Sequence, residues 1–441
     1  MKRIFGEFTY GPGPSKGCWW DETCAISERQ KLKGSRRYDV AVIGAGITGI
    51  SAALHMAQSG LAVCVLEEKT IGWGASARNG GFCCLGGGMV ADSTLDRRFG
   101  IDGRREWRAA EKTAVNLVGQ LIETHGIAVD RHSDGETELA HRPMDMARLQ
   151  EKVRRIETNY GVIPQLVARQ DLAENGLAGP FYGAMTIPIG FGLNPRKYVA
   201  GLAEAAEVAG ADIFEHSQLQ SLHAFSGKWR AVSGSADVIA DQVIFATNGY
   251  SSEDLPDWLA GRYLPAQSNV LVTRPLTPGE LASSGWSSDQ MAYDTRNLLH
   301  YFRLMPDKRF LFGMRGGVLS SAAAEARARA RTRRHFSRMF PAWAHVETPN
   351  SWSGLVCLSR RQLPFVGAIP RHPGLWAGLC FHGNGVAMGT YSGKLLAQLV
   401  QSRTSTNVPI AIREPLQKIP LGRARRMLMP AIYFGLAVAD L

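Results

Sequence analysis

Residues 38–67 read YDVAVIGAGITGISAALHMAQSGLAVCVLE, and this stretch decides the fold. The apolar run at 39–43 predicts a strand buried on both faces. GAGITG follows at 44–49. Residues 50–59 then carry apolar side chains at helical spacing until Gly60 stops the helix. Residues 62–66 predict a second buried strand that ends at Glu67. Together they make a β-α-β unit of about thirty residues. Gly44 permits the tight turn out of the strand, Gly46 lets a pyrophosphate reach the backbone, and Gly49 lets the helix pack closely on the sheet. Ile47 and Thr48 stand at the helix start, where free N–H groups and a partial positive charge favour phosphate. Glu67 lies 23 residues after Gly44. It is spaced to accept hydrogen bonds from both hydroxyls of an adenosine ribose, which disfavours a 2′-phosphate. FAD or NAD is therefore expected rather than NADP.

Outward from this unit, the chain has 441 residues, 48 of them glycine. That is about 11%, against a usual share near 7%. There is no collagen period, so the surplus is expected at tight turns and close backbone approaches to a ligand. The length exceeds one ordinary core and suits two or three intertwined units. With 45% hydrophobic and 20% charged residues, disordered and fibrous classes are excluded. Fifty basic and 39 acidic residues leave a charge of +11. This permits an acidic or phosphate-bearing partner, but no nucleic-acid recognition module accompanies it, so nucleic acid is not expected. Arg327, Arg331, Arg334 and Arg338 fall at steps of four, three and four and predict one solvated helix face. The seven cysteines (Cys18, Cys24, Cys64, Cys83, Cys84, Cys357 and Cys380) are odd in number and form no CxxC. That argues against a disulfide framework and a structural zinc site, and for a reducing, cytoplasmic compartment. Residues 1–20 lack the apolar region of a signal peptide. The apolar run at 427–438 is too short to span a bilayer. Following Arg423, Arg425 and Arg426, it leaves weak membrane-surface contact open, with packing of a C-terminal helix on the body favoured.

Residues 1–37 read as an arm laid over the body. Further helices are expected at 102–124, 195–209 and 385–400. Strands are expected at 129–140 (weakly), 211–215, 243–246 and 375–379. Several strand-like runs between 262 and 318, at 270–272, 300–304 and 310–312, suggest a larger mixed or antiparallel sheet. A second glycine-rich loop, GWGASARNGG at 72–81, suits an extended cofactor whose far end must also be held. HGNGV at 382–386 opens the late helix, a second helix N-terminus able to face an anionic group.

These stretches, with VIFATNGY at 243–250, YDTRNLLHYFRLMPDKRFLFGMRGG at 293–317 and the segment from Leu363 to Val400, carry a resemblance. The chain resembles the D-amino-acid-oxidase-like superfamily of FAD-dependent oxidoreductases and is most similar to its gamma-glutamylputrescine oxidase and sarcosine/glycine oxidase branch. The likeness runs from about residue 38 to residue 400. It implies an α/β (α+β overall) fold: a Rossmann-like FAD-binding domain (38–97, 192–250 and 353–404), interleaved with a substrate domain on a large mixed or antiparallel sheet (98–191 and 251–352), and a C-terminal segment at 405–441. It implies that Gly44, Gly46, Ile47, Thr48 and Gly49 hold the FAD pyrophosphate and Glu67 the ribose, with Leu219 and Thr247 beside the cofactor. Ala75, Ser76, Arg78, Asn79, Gly80 and Gly81 would pass beside the flavin and its phosphates. Gly383, Asn384, Gly385 and Val386 would sit at the flavin ring, where a helix start stabilises negative charge.

The implied reaction is oxidation of an amine or amino acid by hydride transfer to flavin N5, imine hydrolysis, and reoxidation by O2 to give H2O2. Two alternatives stay open: a dehydrogenase passing electrons to a quinone or another carrier, and a flavin-binding subunit without its own turnover. His382 stands where the family commonly has a small residue and is a candidate polar or proton-accepting group. Leu311 aligns where sarcosine oxidases carry an oxygen-activating lysine. Cys357 does not align cleanly with their flavin-linking cysteine, so non-covalent FAD is expected. Tyr301 and Arg303 lie two residues apart on one strand and so share a face. Tyr301 is the candidate cap of the flavin, and Arg303 the candidate partner of a substrate carboxylate. Trp73 and Phe82 are candidate cavity walls.

Overall fold

The computed structural model describes residues 1–317, 319–402 and 408–440. The leading unit consists of strand Ser35–Ile43, helix Ile47–Ala57 and strand Val63–Leu66. The first strand starts earlier than its apolar run, because the polar residues Ser35 to Tyr38 pair in parallel with Asp237 to Ala240. Nearly all of the helix is buried, and glycine makes that possible on both sides. A Cβ at Gly49 would drive into the Gly44 carbonyl oxygen. On the opposite side lies helix Ala387–Ser402, where a Cβ at Gly393 would stand 2.5 Å from the Thr48 carbonyl oxygen.

The sheet around this unit runs in the order Phe365–Ala368, Leu375–Leu379, Ala236–Phe245, Ser35–Ile43, Val63–Leu66, Asp212–Phe214. The last five are parallel, so their carboxyl ends share one edge. That is where an open α/β sheet binds its ligand. Hairpin Ser221–Phe225 and Lys228–Ser233 adds antiparallel to the start of the longest strand.

A second sheet of eight strands follows the order Asn350–Leu358, Leu264–Val272, Phe310–Arg315, His300–Leu304, Met291–Asp294, Glu136–Leu139, Gly183–Ile187, Gln165–Ala168. Only the pairing of Met291–Asp294 with Glu136–Leu139 is parallel. One face packs Phe302, Phe310, Phe312 and Trp286 beneath helix Ala322–Met339. On that helix Arg327, Arg334 and Arg338 are exposed, and Arg331 is half-buried. The N-terminal arm buries Phe5, Tyr10 and Trp20, and the Trp20 indole donates to the Asn79 carbonyl at 2.9 Å.

Several boundaries differ from the sequence reading. The helix expected from 102 spans Asp92–Thr124, with a kink at Gly100 (φ 75°, ψ 171°) that explains why its periodicity starts late. The weak strand at 129–140 is continuous only over Glu136–Leu139, with an isolated antiparallel bridge between His132 and Gly192 before it. Strand Asn350–Leu358 crosses the domain boundary expected at 352/353 unbroken, because it pairs along its whole length with Leu264–Val272. The boundary expected at 404/405 lies outside the described residues. The C-terminal helix Leu428–Ala439 rests on the body, but Met429 is its one buried side chain.

Gly49→Ala is expected to destabilise the fold by about 1–3 kcal/mol, the usual cost of forcing a methyl into a packed contact. Gly279→Ala, where a Cβ meets open space, is the control and should change stability far less. Urea unfolding of the two variants checks the contrast.

Candidate active site

One cavity of about 440 Å³ lies across the carboxyl edge of the parallel sheet and the inner face of the second sheet. That is within the size range of cofactor and small-molecule sites. Gly44, Gly46, Ile47, Thr48, Glu67, Ala75, Ser76, Arg78, Asn79, Gly80, Leu219 and Thr247 line it, as do His382, Gly383, Asn384, Gly385 and Val386. Four strand ends therefore converge as the topology requires. Gly49 and Gly81 stand just behind the wall, since each admits the close contact of its neighbours: Gly49 the Gly44 carbonyl, and Gly81 the Leu193 carbonyl and the Arg303 guanidinium.

The glycine-rich loop is held from within. The Ile47 N–H donates to Ser76 Oγ at 3.0 Å, and a Cβ on Gly46 would stand 2.9 Å from the same oxygen. Asn79 donates to the carbonyls of Ala75 and Ser76 and accepts from the Gly81 N–H at 2.7 Å. Arg78 is buried, donates to the carbonyls of Trp73 and Gly74, and lies 4.6 Å from the Trp73 ring centre. It also reaches the Ser353 carbonyl at 3.4 Å and so links the loop to the second sheet.

At the other end of the cavity the late loop is bent into the left-handed region at Cys380 (φ 68°), His382 (φ 53°) and Gly383 (φ 108°). Two of these are not glycine, and such strain clusters at functional sites. His382 Nε2 lies 3.2 Å from Ser359 Oγ, and its carbonyl accepts from Arg315 at 3.0 Å. Burial and the Arg315 charge push its pKa down to about 4, so the ring is neutral near pH 7. Its Nδ1 is buried without a hydrogen-bond partner.

The second sheet supplies the remaining wall. Tyr301 donates to or accepts from Ser268 Oγ at 3.0 Å and meets Phe82 edge-on at 5.6 Å. Its ring lies over Gly313 and Gly80, where any side chain would collide with it. Tyr301, Phe82 and Trp73 all face the cavity. Arg303, from the same strand, does not line it. The guanidinium is fully buried behind the loop, donates to Leu193 O at 2.8 Å and meets His132 Nε2 at 2.9 Å. Burial lowers its pKa to about 9. Leu311 does not line the cavity either; it is buried in a core with Val270, Trp352 and Trp20.

Among the wall residues that the sequence reading did not single out are Glu136, Tyr293 and Arg315. Glu136 is buried, and burial pushes its pKa up to about 7 against the opposing charge of Lys152 and hydrogen bonds from Tyr293 and the Leu85 N–H. Cys84 lies beside it and donates to Asn384 Oδ1 at 3.4 Å, which ties Glu136 to the late loop. Arg315 closes its strand, and burial lowers its pKa. Their signal in the sequence is an ionisable residue at an inward strand position. It becomes readable only once the register is known.

Residues 39–399 match the family described as FAD dependent oxidoreductase, DAO. The chain belongs to this family. A probable oxidoreductase OrdL of Rhizobium meliloti is 29% identical over 393 residues, 88% of this chain and 89% of that protein. The gamma-glutamylputrescine oxidoreductase of Escherichia coli is 27% identical, over 92% and 94% of the two chains. Among solved structures, glycine oxidase from Geobacillus kaustophilus superposes with a TM-score of 0.66 at 21% identity, covering 88% of this chain and 99% of the other. The protein is thus an FAD-dependent oxidoreductase of the DAO family, with the Rossmann-like and mixed-sheet architecture of its structural neighbours. The cavity fits FAD on its own terms: a glycine cradle at one end, an orphaned buried imidazole nitrogen at the other, and a helix start beside it.

Glu67 provides a test of orientation. Its carboxylate accepts from the Ala45 N–H at 2.8 Å and the Lys69 N–H at 2.9 Å, yet burial still raises its pKa to about 7. The unfolded value is about 4.3. In the free protein this group favours the fold below that value, and the contribution is lost as pH rises through about 7. A ribose seated on Glu67 would donate to the ionised carboxylate, so FAD affinity should then rise several-fold from pH 6 to 8. Glu67→Gln should flatten that dependence, and Glu67→Ala should release FAD while leaving a soluble fold. Fluorescence titration of FAD measures both, and unchanged affinity in Glu67→Ala removes the ribose assignment.

Proposed function

We propose that the enzyme oxidises the C–N bond of an amine or amino acid, in the manner of a gamma-glutamylputrescine oxidase, with non-covalent FAD. When bound, FAD supplies the acceptor for a hydride from the carbon beside the amine nitrogen, O2 being the terminal oxidant and the substrate leaving as an imine that water hydrolyses. The observation that carries the reading is the buried carboxyl of Glu136 on the cavity wall, joined through Cys84 to the late loop at Asn384.

An amine reaches the enzyme mainly as an ammonium ion and must lose a proton before it can give up hydride. Glu136, with a pKa of about 7, is matched to accept that proton near neutral pH. Tyr293 and the Leu85 N–H hold the carboxyl in place. Arg315, which lines the cavity, offers the fixed positive charge for a substrate carboxylate in place of Arg303, which is buried behind the loop. Tyr301 and Phe82 exclude water from the reacting carbon. His382, being neutral, offers a ring nitrogen and no charge. Gly44, Gly46 and the Ile47–Thr48 helix start would hold the pyrophosphate, and Gly383 to Val386 the flavin edge.

Anaerobic mixing with glutamylated putrescine, N-methyl amino acids and simple amines should bleach the flavin with at least one of them, and air should restore the colour with formation of peroxide. Failure of every amine to bleach it overturns the reading, and bleaching without recovery in air moves the acceptor from O2 to another carrier. With a working substrate, the wild-type bleaching rate should rise with pH through about 7. Glu136→Gln should be about 100-fold slower at pH 7 and recover as the pH approaches the amine's own pKa. His382→Ala should slow bleaching or reoxidation, and if it changes neither, His382 has no active-site role.

A further inference from the structure

The last described helix presents an apolar face that nothing among the described residues covers. Residues Leu428–Ala439 read LMPAIYFGLAVA, without a charged side chain. Met429 is buried and Tyr433 half-buried on the inner seam, where Tyr433 stands beside Arg315 and Arg331. On the outer face Met427 is 75% exposed, Phe434 73% and Val438 53%, with Ala431 between them. These four fall at steps of four, three and four, a continuous stripe along one side of a helix. Ile432, 47% exposed, and Leu421, 58% exposed, widen the patch.

The helix is fastened in this pose at both ends. Before it, the buried Arg425 donates to both carboxylate oxygens of Glu253, at 2.6 and 3.1 Å, and to the Tyr263 carbonyl. After it, the Asp440 carboxylate accepts from the backbone N–H groups of Asn297 and Leu298 at 2.7 and 2.9 Å, and Arg142 donates to the Ala439 carbonyl. The outward face is therefore a held surface. Contiguous exposed apolar patches of this kind mark a partner or a membrane.

Charge selects the occupant. Between Leu416 and Ala439 the sequence holds Lys418, Arg423, Arg425 and Arg426 and no acid. Arg425 is neutralised by Glu253, while Lys418 and Arg423 are exposed at the helix start, and Arg360, which donates to the Lys418 carbonyl, is exposed beside them. A twelve-residue helix is roughly 18 Å long, and among the described residues no helix is long and apolar enough to cross a membrane. A short apolar stripe beside exposed cations suits the interface of an anionic bilayer, where side chains enter the headgroup boundary and the cations meet lipid phosphate.

We propose that this face docks the enzyme on an anionic membrane surface, with the stripe Met427, Ala431, Phe434 and Val438 inserted and Lys418, Arg423 and Arg360 against the headgroups. The FAD-loaded protein should sediment with vesicles of phosphatidylcholine mixed with phosphatidylglycerol and remain in solution with phosphatidylcholine alone. Raised salt should reduce binding. Phe434→Glu combined with Val438→Glu should reduce it at least tenfold, with melting temperature and flavin absorbance unchanged as the check on folding. Arg423→Glu, which leaves the apolar stripe intact, should also weaken it. No sedimentation with either vesicle overturns the proposal. So does equal binding to both, or binding that survives the double exchange. A concentration-dependent dimer dissociated by Phe434→Glu, without vesicle binding, would assign the face to a second copy of the chain instead.

Discussion

Everything in the cofactor half depends on one close approach. Helix Ile47–Ala57 lies so near the strand before it that Gly49 and the Gly44 carbonyl leave no room for a methyl group. That proximity aims the helix start at the carboxyl edge of the sheet, sets Ser76 Oγ against the Ile47 N–H, and brings Glu67 to the Ala45 N–H. Helix Ala387–Ser402 then reaches the opposite side through Gly393, and its own start carries Gly385 and Val386 to the far end of the cavity. Two helix N-termini thus face one elongated space, which is an arrangement suited to a ligand anionic at the middle and at one end.

The reacting end follows a different logic, in which burial rather than backbone placement sets the chemistry. Glu136 and His382 are both drawn toward their neutral forms by desolvation, one upward and the other downward. Arg315 stays cationic and pushes His382 further down. In the proposed reaction Arg315 would supply a permanent charge, Glu136 a proton acceptor and His382 a neutral ring. Behind it, Arg303 is bonded to Leu193 and His132 and supports the loop at Gly81.

The cofactor half was legible in the sequence because glycine spacing reports backbone geometry directly. Gly44, Gly46 and Gly49, the loop at 72–81 and the turn at 382–386 each meet the cavity or the contact just behind it. The reacting half was not, for reasons visible in particular residues. Arg303 and Tyr301 share a strand face, but only the register against Gly313 and the depth of Leu193 decide which of them reaches the cavity. Glu136 sits in a segment whose alternation is weak, since Glu136 and Thr137 are both buried on opposite faces of a central strand. Leu311 aligns with an oxygen-activating lysine, yet it is buried among Val270, the arm's Trp20 and strand residue Trp352, and only its neighbours Val270 and Tyr301 reach the cavity. For the C-terminal helix, packing on the body was the favoured expectation and weak membrane-surface contact the open one; the helix rests on the body through Met429 and turns its other side outward.

The order of strands in the first sheet also governs how the chain can be made. The central helix Ile47–Ala57 is among the first elements to leave the ribosome, yet its partner at Gly393 is among the last. The strand that finishes the binding edge, Leu375–Leu379, arrives just before it. Until then an apolar helix has one bare side, and the cleft lacks the loop at His382. Sealing the central layer and completing the cleft therefore both wait on the distant segment around His382 and Gly393.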